Sequence, residues 1–393
     1  MKKKTKQAGP AAWLRENKWT CAVLAAALVL LIVGRLLAAP ARVEAGQPEE
    51  RADYESAVVE QVLSDSTEKD PAADNGYRGE QLLLVTVKSG DYQGQQMQVY
   101  NYVGPLYGGP LHAGDRATIL ISSYSDGTVN ATVYEFDRLI PLAIVVALFI
   151  AAAVIVGGRT GAKSLVALAV TLMCLFGVLL PALMKGANIL LMTFIVCAYV
   201  AVVSLTIVGG VQKKSVCAML GAVAGTALAL LFGLLAQALT RVDGLRIEDV
   251  EPLLQLRQTG TPIGLRGLLV GGIIISALGA VMDVTMGIAS SLAEVHAANP
   301  QLSRRELFRS GMNIGRDMVG TMTNTLILAF LGSGFTLILY LYSLGLSFRQ
   351  LMSSAYVSME VVSGVASSVG VILSIPLTAL ITAAVFTREK QQS

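Results

Sequence analysis

The chain is poor in the residues that carry most soluble chemistry. Among its 393 residues there are only two histidines, His112 and His296, and four cysteines. The histidines stand far apart with no ligand-spaced neighbours, so no His/Cys metal centre is expected. Cys21, Cys174, Cys197 and Cys217 lie inside or at the edge of apolar runs and none forms a CxxC pair. They read as small buried hydrophobes rather than disulfide partners or zinc ligands. There is no GxxxxGK[ST] phosphate loop, no HExxH and no convincing GxSxG. ATP-driven transport by this chain alone is therefore not expected, nor is an enzymatic activity, a cofactor or a metal. Charged residues make up 15% and the net charge is +3, with Lys and Arg placed between apolar runs. That distribution follows membrane orientation and does not point to nucleic acid.

What the chain has in quantity is apolar length. Hydrophobic residues make up 54% and the mean hydropathy is +0.61. Several runs reach the roughly 20 residues that cross a bilayer core as helix. The fold class is an α-helical polytopic membrane protein with the lipid bilayer as its first partner. The N-terminus reads MKKKTKQ, with Arg15 and Lys18 ahead of an apolar run from Trp19 to Leu37. That run is longer than a usual signal-peptide core, and Arg35 interrupts the place where small residues should precede a cleavage site. An uncleaved anchor is favoured over a cleaved signal peptide, with its basic side cytoplasmic.

Residues 38–139 differ in kind. From Ala41 to Gly79 the composition is acidic and polar, and much of it reads as linker. Short strand patterns run over Ala57–Leu63, Gln81–Lys88, Gln95–Val103, Arg116–Ser122 and Val129–Phe136, separated by Gly, Pro and Asp turn signals. Five short strands in so few residues predict a small β-barrel, OB-like in type. Tyr92, Tyr100, Tyr102 and Tyr107 are either a binding face or core and rim packing.

Seven further spans are predicted near Ile140–Gly157, Leu165–Leu183, Ile189–Val208, Ser215–Leu239, Leu265–Ala289, Thr321–Tyr342 and Val362–Phe386, which with the anchor makes eight. Arg159 and Lys163, Lys213 and Lys214, Arg304 to Arg316, and Arg388 and Lys390 then fall on one side. The expectation is a cytoplasmic (inner) membrane protein with both termini cytoplasmic and the β-rich region outside. Its parts are a basic N-terminus (1–18), an anchor (19–37), an extracytoplasmic β-rich domain between helices 1 and 2 (38–139), a seven-helix domain (140–386) and a tail (387–393). Gly221 and Gly225 form a GxxxG packing pair, Gly364 and Ser368 are spaced alike, and Pro376 should kink the last span. Residues 247–258 read as a short surface helix.

The polar residues concentrate in one place. In the sixth span Gly279, Asp283, Gly287, Ser290 or Ser291, and Glu294 recur at helical steps and share a face. After Pro300, Ser303 and Glu306 form a capping-box pattern that starts a helix near residue 304. Asn313, Asp317, Thr321 and Asn324 are spaced by four, four and three and form one face of that helix as it enters the membrane. Glu360, Ser363 and Ser367 share a face of the last span. An ionisable group inside a span costs about 2.5–3.5 kcal/mol on insertion scales and marks a functional site by default. Asp283 is thus the candidate proton carrier, with Asn313, Asp317, Thr321 and Asn324 lining its path and Glu294, Arg316 and Glu360 as accessories. Arg316 would pair with Asp283 or Asp317. The alternative, an inert Asp283 hydrogen-bonded to Asn324 or Thr285, stays open. Glu294, Glu306 and Asp317 lie near the membrane surface, where solvation or ion pairing is the ordinary explanation.

The segment GAVMDVTMGIASSLAEV, followed by Pro300, Glu306-Leu307 and SGMNIGRDMVGTMTNTLILAFLG, resembles the signature of the YibE/F-like family of membrane proteins. The resemblance covers the anchor, the β-rich region and the seven following spans. A more distant similarity links the helix pair around Asp283 to SecD/SecF proteins, members of a proton-driven superfamily in which an Asp of that helix takes part in proton translocation. Asp283 stands in the matching place. The chain departs from that pattern in having seven spans after the outer region rather than five, and a smaller outer domain.

Two functions fit. One is a secondary, proton-coupled transporter or transport-machine component. The other is a non-catalytic scaffold or assembly factor whose outer β-domain docks a protein partner. A homo- or hetero-oligomer accords with either, and no substrate is named. An intramembrane aspartyl protease using Asp283 and Asp317 is set aside, because Asp317 is too near the surface and no Gly-x-Gly-Asp setting is present.

Overall fold

The computed structural model describes residues 50–71, 76–124, 128–242, 251–258 and 260–387, together with Ala25, Leu28 and Ile32, which are helical. They fall in two compact units, one within Val43–Ala152 and the other from Ala153 onward. The readings of the basic N-terminus, of most of the anchor, of Cys21 and of the C-terminal tail past Thr387 lie outside the described residues.

The first unit is a closed five-stranded barrel. Its strands are β1 (Glu50–Asp65), β3 (Gly76–Val87), β4 (Gln96–Val103), β5 (Arg116–Tyr124) and β6 (Val129–Phe136), with a short β2 (Glu68–Asp70) added on β3. Around the barrel the order is β1-β5-β6-β4-β3 and back to β1. β1 serves two partners: Glu50–Val58 pairs with β5 and Ala57–Asp65 with β3. Irregularities between Val59 and Gln61 and between Val62 and Ser64 bend it round the corner. Closure comes from a parallel pairing of β4 with β6 at Tyr100 and Thr132; the other ladders are antiparallel. Alternate residues point inward, as a strand's period of two requires. Ala57, Val59, Leu83, Val85, Val99, Ile119 and Ile121 make the core.

The strand expected at Ala57–Leu63 is present but longer, Glu50–Asp65, so the reading of the stretch from Ala41 as mostly linker is corrected over 50–56. Asp53 and Glu55 are half-buried on the face that also carries the buried Ala57 and Val59, while Glu60 and Asp65 are exposed. Acidity there does not mean missing structure: Glu55 accepts from the Ser89 hydroxyl within the barrel. Pro71 follows β2 as a turn residue.

The second unit and the helix leading to it are helical. α1 (Leu139–Cys174) continues through a π-helical stretch, Leu175–Leu179, into α2 (Leu180–Met184). Then follow α3 (Ile189–Gly209), α4 (Lys213–Thr240), α5 (Glu251–Gln258), α6 (Leu268–Ala298), α7 (Arg304–Ser333), α8 (Phe335–Ser343), α9 (Phe348–Ser353) and α10 (Ala355–Thr387). Five of the described stretches are long and apolar enough to cross a membrane, or six if α7 and α8, bent by 63°, form one broken span. The chain is therefore a multi-pass membrane protein. The first stretch, Leu139–Met184, holds 46 residues. A straight helix of that length would run about 69 Å, more than twice a bilayer core. It is interrupted at Gly158, whose φ of 55° and ψ of −132° are not helical. The break falls between the two spans expected at Ile140–Gly157 and Leu165–Leu183. α5 lies within the short helix expected over 247–258, and its first residues, 247–250, are outside the described set. α10 continues through Pro376.

α10 is the hub, packing most extensively on α4 and then on α6 and α7. Small residues permit it. Gly221 of α4 sits on Thr378, Gly225 on Ser374, and Ala229 on Gly370. On the adjoining face, Gly311 of α7 sits on Ala379 and Gly315 on Ile375. Backbones approach closely at such four-residue repeats, and packing of this kind drives helix association where lipid removes the hydrophobic incentive. Cys174, Cys197 and Cys217 are buried and free.

Candidate functional site

α6 and α7 carry the candidate residues. α6 has no side-chain cap at Gly267, and it is long because nothing from Leu268 to Ala298 breaks it. Its buried side is apolar: Val281, Val284, Ile288 and Leu292 face the bundle, with Thr285 among them. Asp283 stands in the middle of α6, with fifteen residues on either side. It lies on the opposite side from this core, on a stripe with Gly272, Ile275, Gly279 and Glu294, all exposed. Gly287, Ser290 and Ser291 continue the stripe half-buried.

The carboxyl of Asp283 is thus not buried in the bundle, which corrects the expectation from the sequence. Helix geometry is the reason: the core side of α6 is taken by residues two positions away on either side, and a helix turns position 283 away from them. Neither partner considered for an inert Asp283 meets it. Thr285 is buried and donates its hydroxyl to the Met282 carbonyl at 3.1 Å. Asn324 is exposed on α7. Among the described residues no hydrogen bond or ion pair engages Asp283.

α7 begins where expected. The Ser303 hydroxyl accepts from the Glu306 N–H at 3.3 Å, and the Glu306 carboxylate accepts from the Ser303 N–H at 2.8 Å, closing the capping box. From there one helix runs unbroken to Ser333. Leu307, Gly311 and Gly315 are buried, and Asn313, Asp317, Thr321 and Asn324 lie exposed on another face. Arg316 pairs with neither aspartate: its guanidinium donates to the Asn313 side-chain oxygen at 3.4 Å, one helical turn back.

The contact between α6 and α7 sets their register. Gly311 lies against Leu292, Gly315 against Ile288 and Met318 against Gly287. The helices are antiparallel along this seam, and one more turn brings Asp283 to the height of residues 320–322. Asp283 and Thr321 are therefore level, with Asp317 and Asn324 a turn to either side. Gly279 and Gly320 have nothing within 4 Å of where a Cβ would stand, so both helices are open beside these residues.

The accessories separate. Glu294 is exposed near the end of α6. Glu360 is half-buried in a cavity of about 140 Å³ at the bend between α7 and α8, beside Phe330, Gly334 and Gly364. None of the other candidates lines that cavity. Ser367 is buried and bonded to Ser276 of α6 at 2.9 Å, so it joins helices. The role of Gly311 and Gly315 was missed, although their spacing of four is the same signal as that of Gly221 and Gly225.

The sequence model of a family described as YibE/F-like protein matches residues 145–388. No curated protein and no solved structure matches the chain.

Proposed function

Because the chain belongs to the YibE/F-like family, and the matched segment holds every polar residue of α6 and α7 described above, we propose that it is a secondary, proton-coupled transporter or a component of a transport machine. Asp283 is the carboxyl that takes up and releases the proton, and Asn313, Asp317, Thr321 and Asn324 line its path. The observation that carries this reading is the exposed position of Asp283 at the centre of an apolar helix, level with Thr321. A carboxylate there is costly against lipid and is tolerated only where water or protein faces it. The open flanks at Gly279 and Gly320 give room for either. The path is completed by a second chain, or by another copy of this one, laid against the α6–α7 face. An eight-span arrangement with both termini cytoplasmic and the barrel outside an inner membrane belongs to the same reading. The similarity of this helix pair to SecD/SecF proteins adds to it.

The test is proton flux in proteoliposomes with a pH-sensitive dye inside. Asp283→Asn should abolish flux while the protein keeps its melting temperature. Unchanged flux in Asp283→Asn would overturn the assignment.

A second reading, a scaffold or assembly factor, is favoured by the barrel, a module with its own core. Counting only the five barrel strands, their order is 1-2-3-5-4-1, that of an OB-like barrel. Cross-linking from the barrel that captures one defined protein, together with flux indifferent to Asp283, would establish it.

A further inference from the structure

The barrel carries an exposed aromatic surface that the transport reading leaves unused. Tyr100 and Tyr102 alternate outward on β4, 47% and 48% exposed, while Asn101 and Val103 between and beyond them are buried. Their rings are nearly parallel, 17° apart in plane, with centroids 6.4 Å apart. Tyr107, 64% exposed, extends the row with its centroid 6.4 Å from that of Tyr102. Tyr92 does not belong to it: its hydroxyl bonds Ser123 at 3.0 Å and its ring packs on the core. Three of the four tyrosines singled out in the sequence thus form one surface row and the fourth is structural.

The row is held rigid from beneath. Gln81 and Asn101, each 2% exposed, bond to one another at 3.0 Å. The Gln81 carbonyl oxygen accepts from the Leu111 N–H at 2.9 Å, and Asn101 donates to the Gly109 carbonyl at 3.3 Å. These bonds pin the segment that carries Tyr107 to the barrel wall. Beside Tyr107 opens a cleft of about 180 Å³, bordered by Gly108, Asp115, Glu135 and Arg138. Glu135 accepts from Arg138 at 3.0 Å, so a planar acceptor and a planar donor stand together at its rim.

We propose that this surface binds a neutral oligosaccharide. Sugar rings present C–H faces that pack on tyrosine rings and hydroxyls that bond to carboxylates, amides and guanidinium groups. A row of exposed rings, the third tilted by 55° to the second, ending at a polar cleft offers both, on a wall held by buried hydrogen bonds before the ligand arrives. Charge removes the main rival for stacked rings. Between residues 43 and 152 there are 16 Asp and Glu against 6 Lys and Arg. A single-stranded nucleic acid requires a basic track beside its stacking residues, and an anionic polysaccharide would be repelled here.

The experiment uses the full chain in lipid nanodiscs, free of glycoside detergents. Saturation-transfer NMR would be recorded with chitotetraose, cellotetraose and maltotetraose, and with an oligothymidylate and an arginine-rich peptide for comparison. Saturable transfer to at least one neutral oligosaccharide is expected. Its dissociation constant should rise about tenfold in Tyr102→Ala, as loss of one aromatic contact implies, and change little in Tyr102→Phe, which keeps the ring. No saturable transfer to any of the three sugars would overturn the proposal. So would binding that Tyr102→Ala and Tyr107→Ala both leave unchanged, or stronger binding of the oligonucleotide or the peptide.

Discussion

Gly225 of α4 and Ser374 of α10 approach so closely that a Cβ on the glycine would stand 2.6 Å from the serine Cβ and 2.9 Å from Val281 of α6. Three helices meet at that point, and none of the atoms met is the tip of a long side chain. Gly225→Ala is therefore expected to lower stability by about 1–3 kcal/mol, the usual cost of overpacking a tight interior. Ser374→Gly should recover part of the loss. Thermal unfolding of both variants and of the double variant checks this.

Gly158 offers the complementary case, because nothing lies within 4 Å of its missing Cβ. Its backbone, φ 55° with ψ −132°, lies in a region that side-chain-bearing residues rarely adopt, and that is the obstacle to a side chain. Gly158→Ala should cost about 1–3 kcal/mol from backbone strain alone. The same melting assay measures it, and an unchanged melting temperature would show that the break in α1 does not depend on glycine.

Asp283 is exposed and engages no partner among the described residues. Asp283→Leu should thus unfold no more easily than the parent, because the carboxyl holds no partner and a charge inside a span costs free energy that Leu does not. A fall of several kcal/mol would mean that the carboxyl holds structure, and the proton reading would lose its support.

In the barrel, Gln81→Ala should leave the Leu111 N–H without its bond and Asn101 with only its bond to Gly109. An unsatisfied buried polar group costs about 1–3 kcal/mol. The local consequence is faster hydrogen exchange at Leu111, read by mass spectrometry or NMR on the full chain. Exchange that stays slow would show that another acceptor takes over.

Asp65 provides a pH-dependent contact. Its carboxylate accepts from the Thr67 hydroxyl at 2.7 Å, from the Thr67 N–H at 2.9 Å and from Gln81 at 2.9 Å. These bonds, the Thr67 hydroxyl first, hold it below the ordinary aspartate range. A lowered folded-state value means the contact stabilises the barrel fully above the unfolded carboxylate range and is lost as pH falls through the folded value. Carboxyl NMR should find Asp65 titrating low, and Thr67→Ala should move it upward.

Much of this architecture was legible without coordinates. Period-two alternation from Gln96 to Val103 and from Arg116 to Ser122 marked strands, because a strand with one buried face must alternate. The Ser303–Glu306 spacing marked the start of α7, because the capping box is a local pattern completed within one turn. Apolar length marked the membrane helices. The first half of β1, 50–56, was harder to see, since its acidic composition resembles a linker until β5 is present to pair with it.

By itself the sequence determined the membrane class, the barrel's strands and which residues share a helical face, because each follows from local periodicity and composition. Only the tertiary structure decided which way those faces point. A period of 3.6 groups Asp283 with Gly279 and Glu294 but cannot say whether the group meets the core or the outside. That was settled by Gly311 and Gly315 of α7, which close against Ile288 and Leu292 of α6 and against Ile375 and Ala379 of α10 and leave Asp283 outside the packed core. In the barrel, alternation placed Tyr100 and Tyr102 on one face. Closure by β6 and anchoring by Gln81 and Asn101 made that face a rigid surface row.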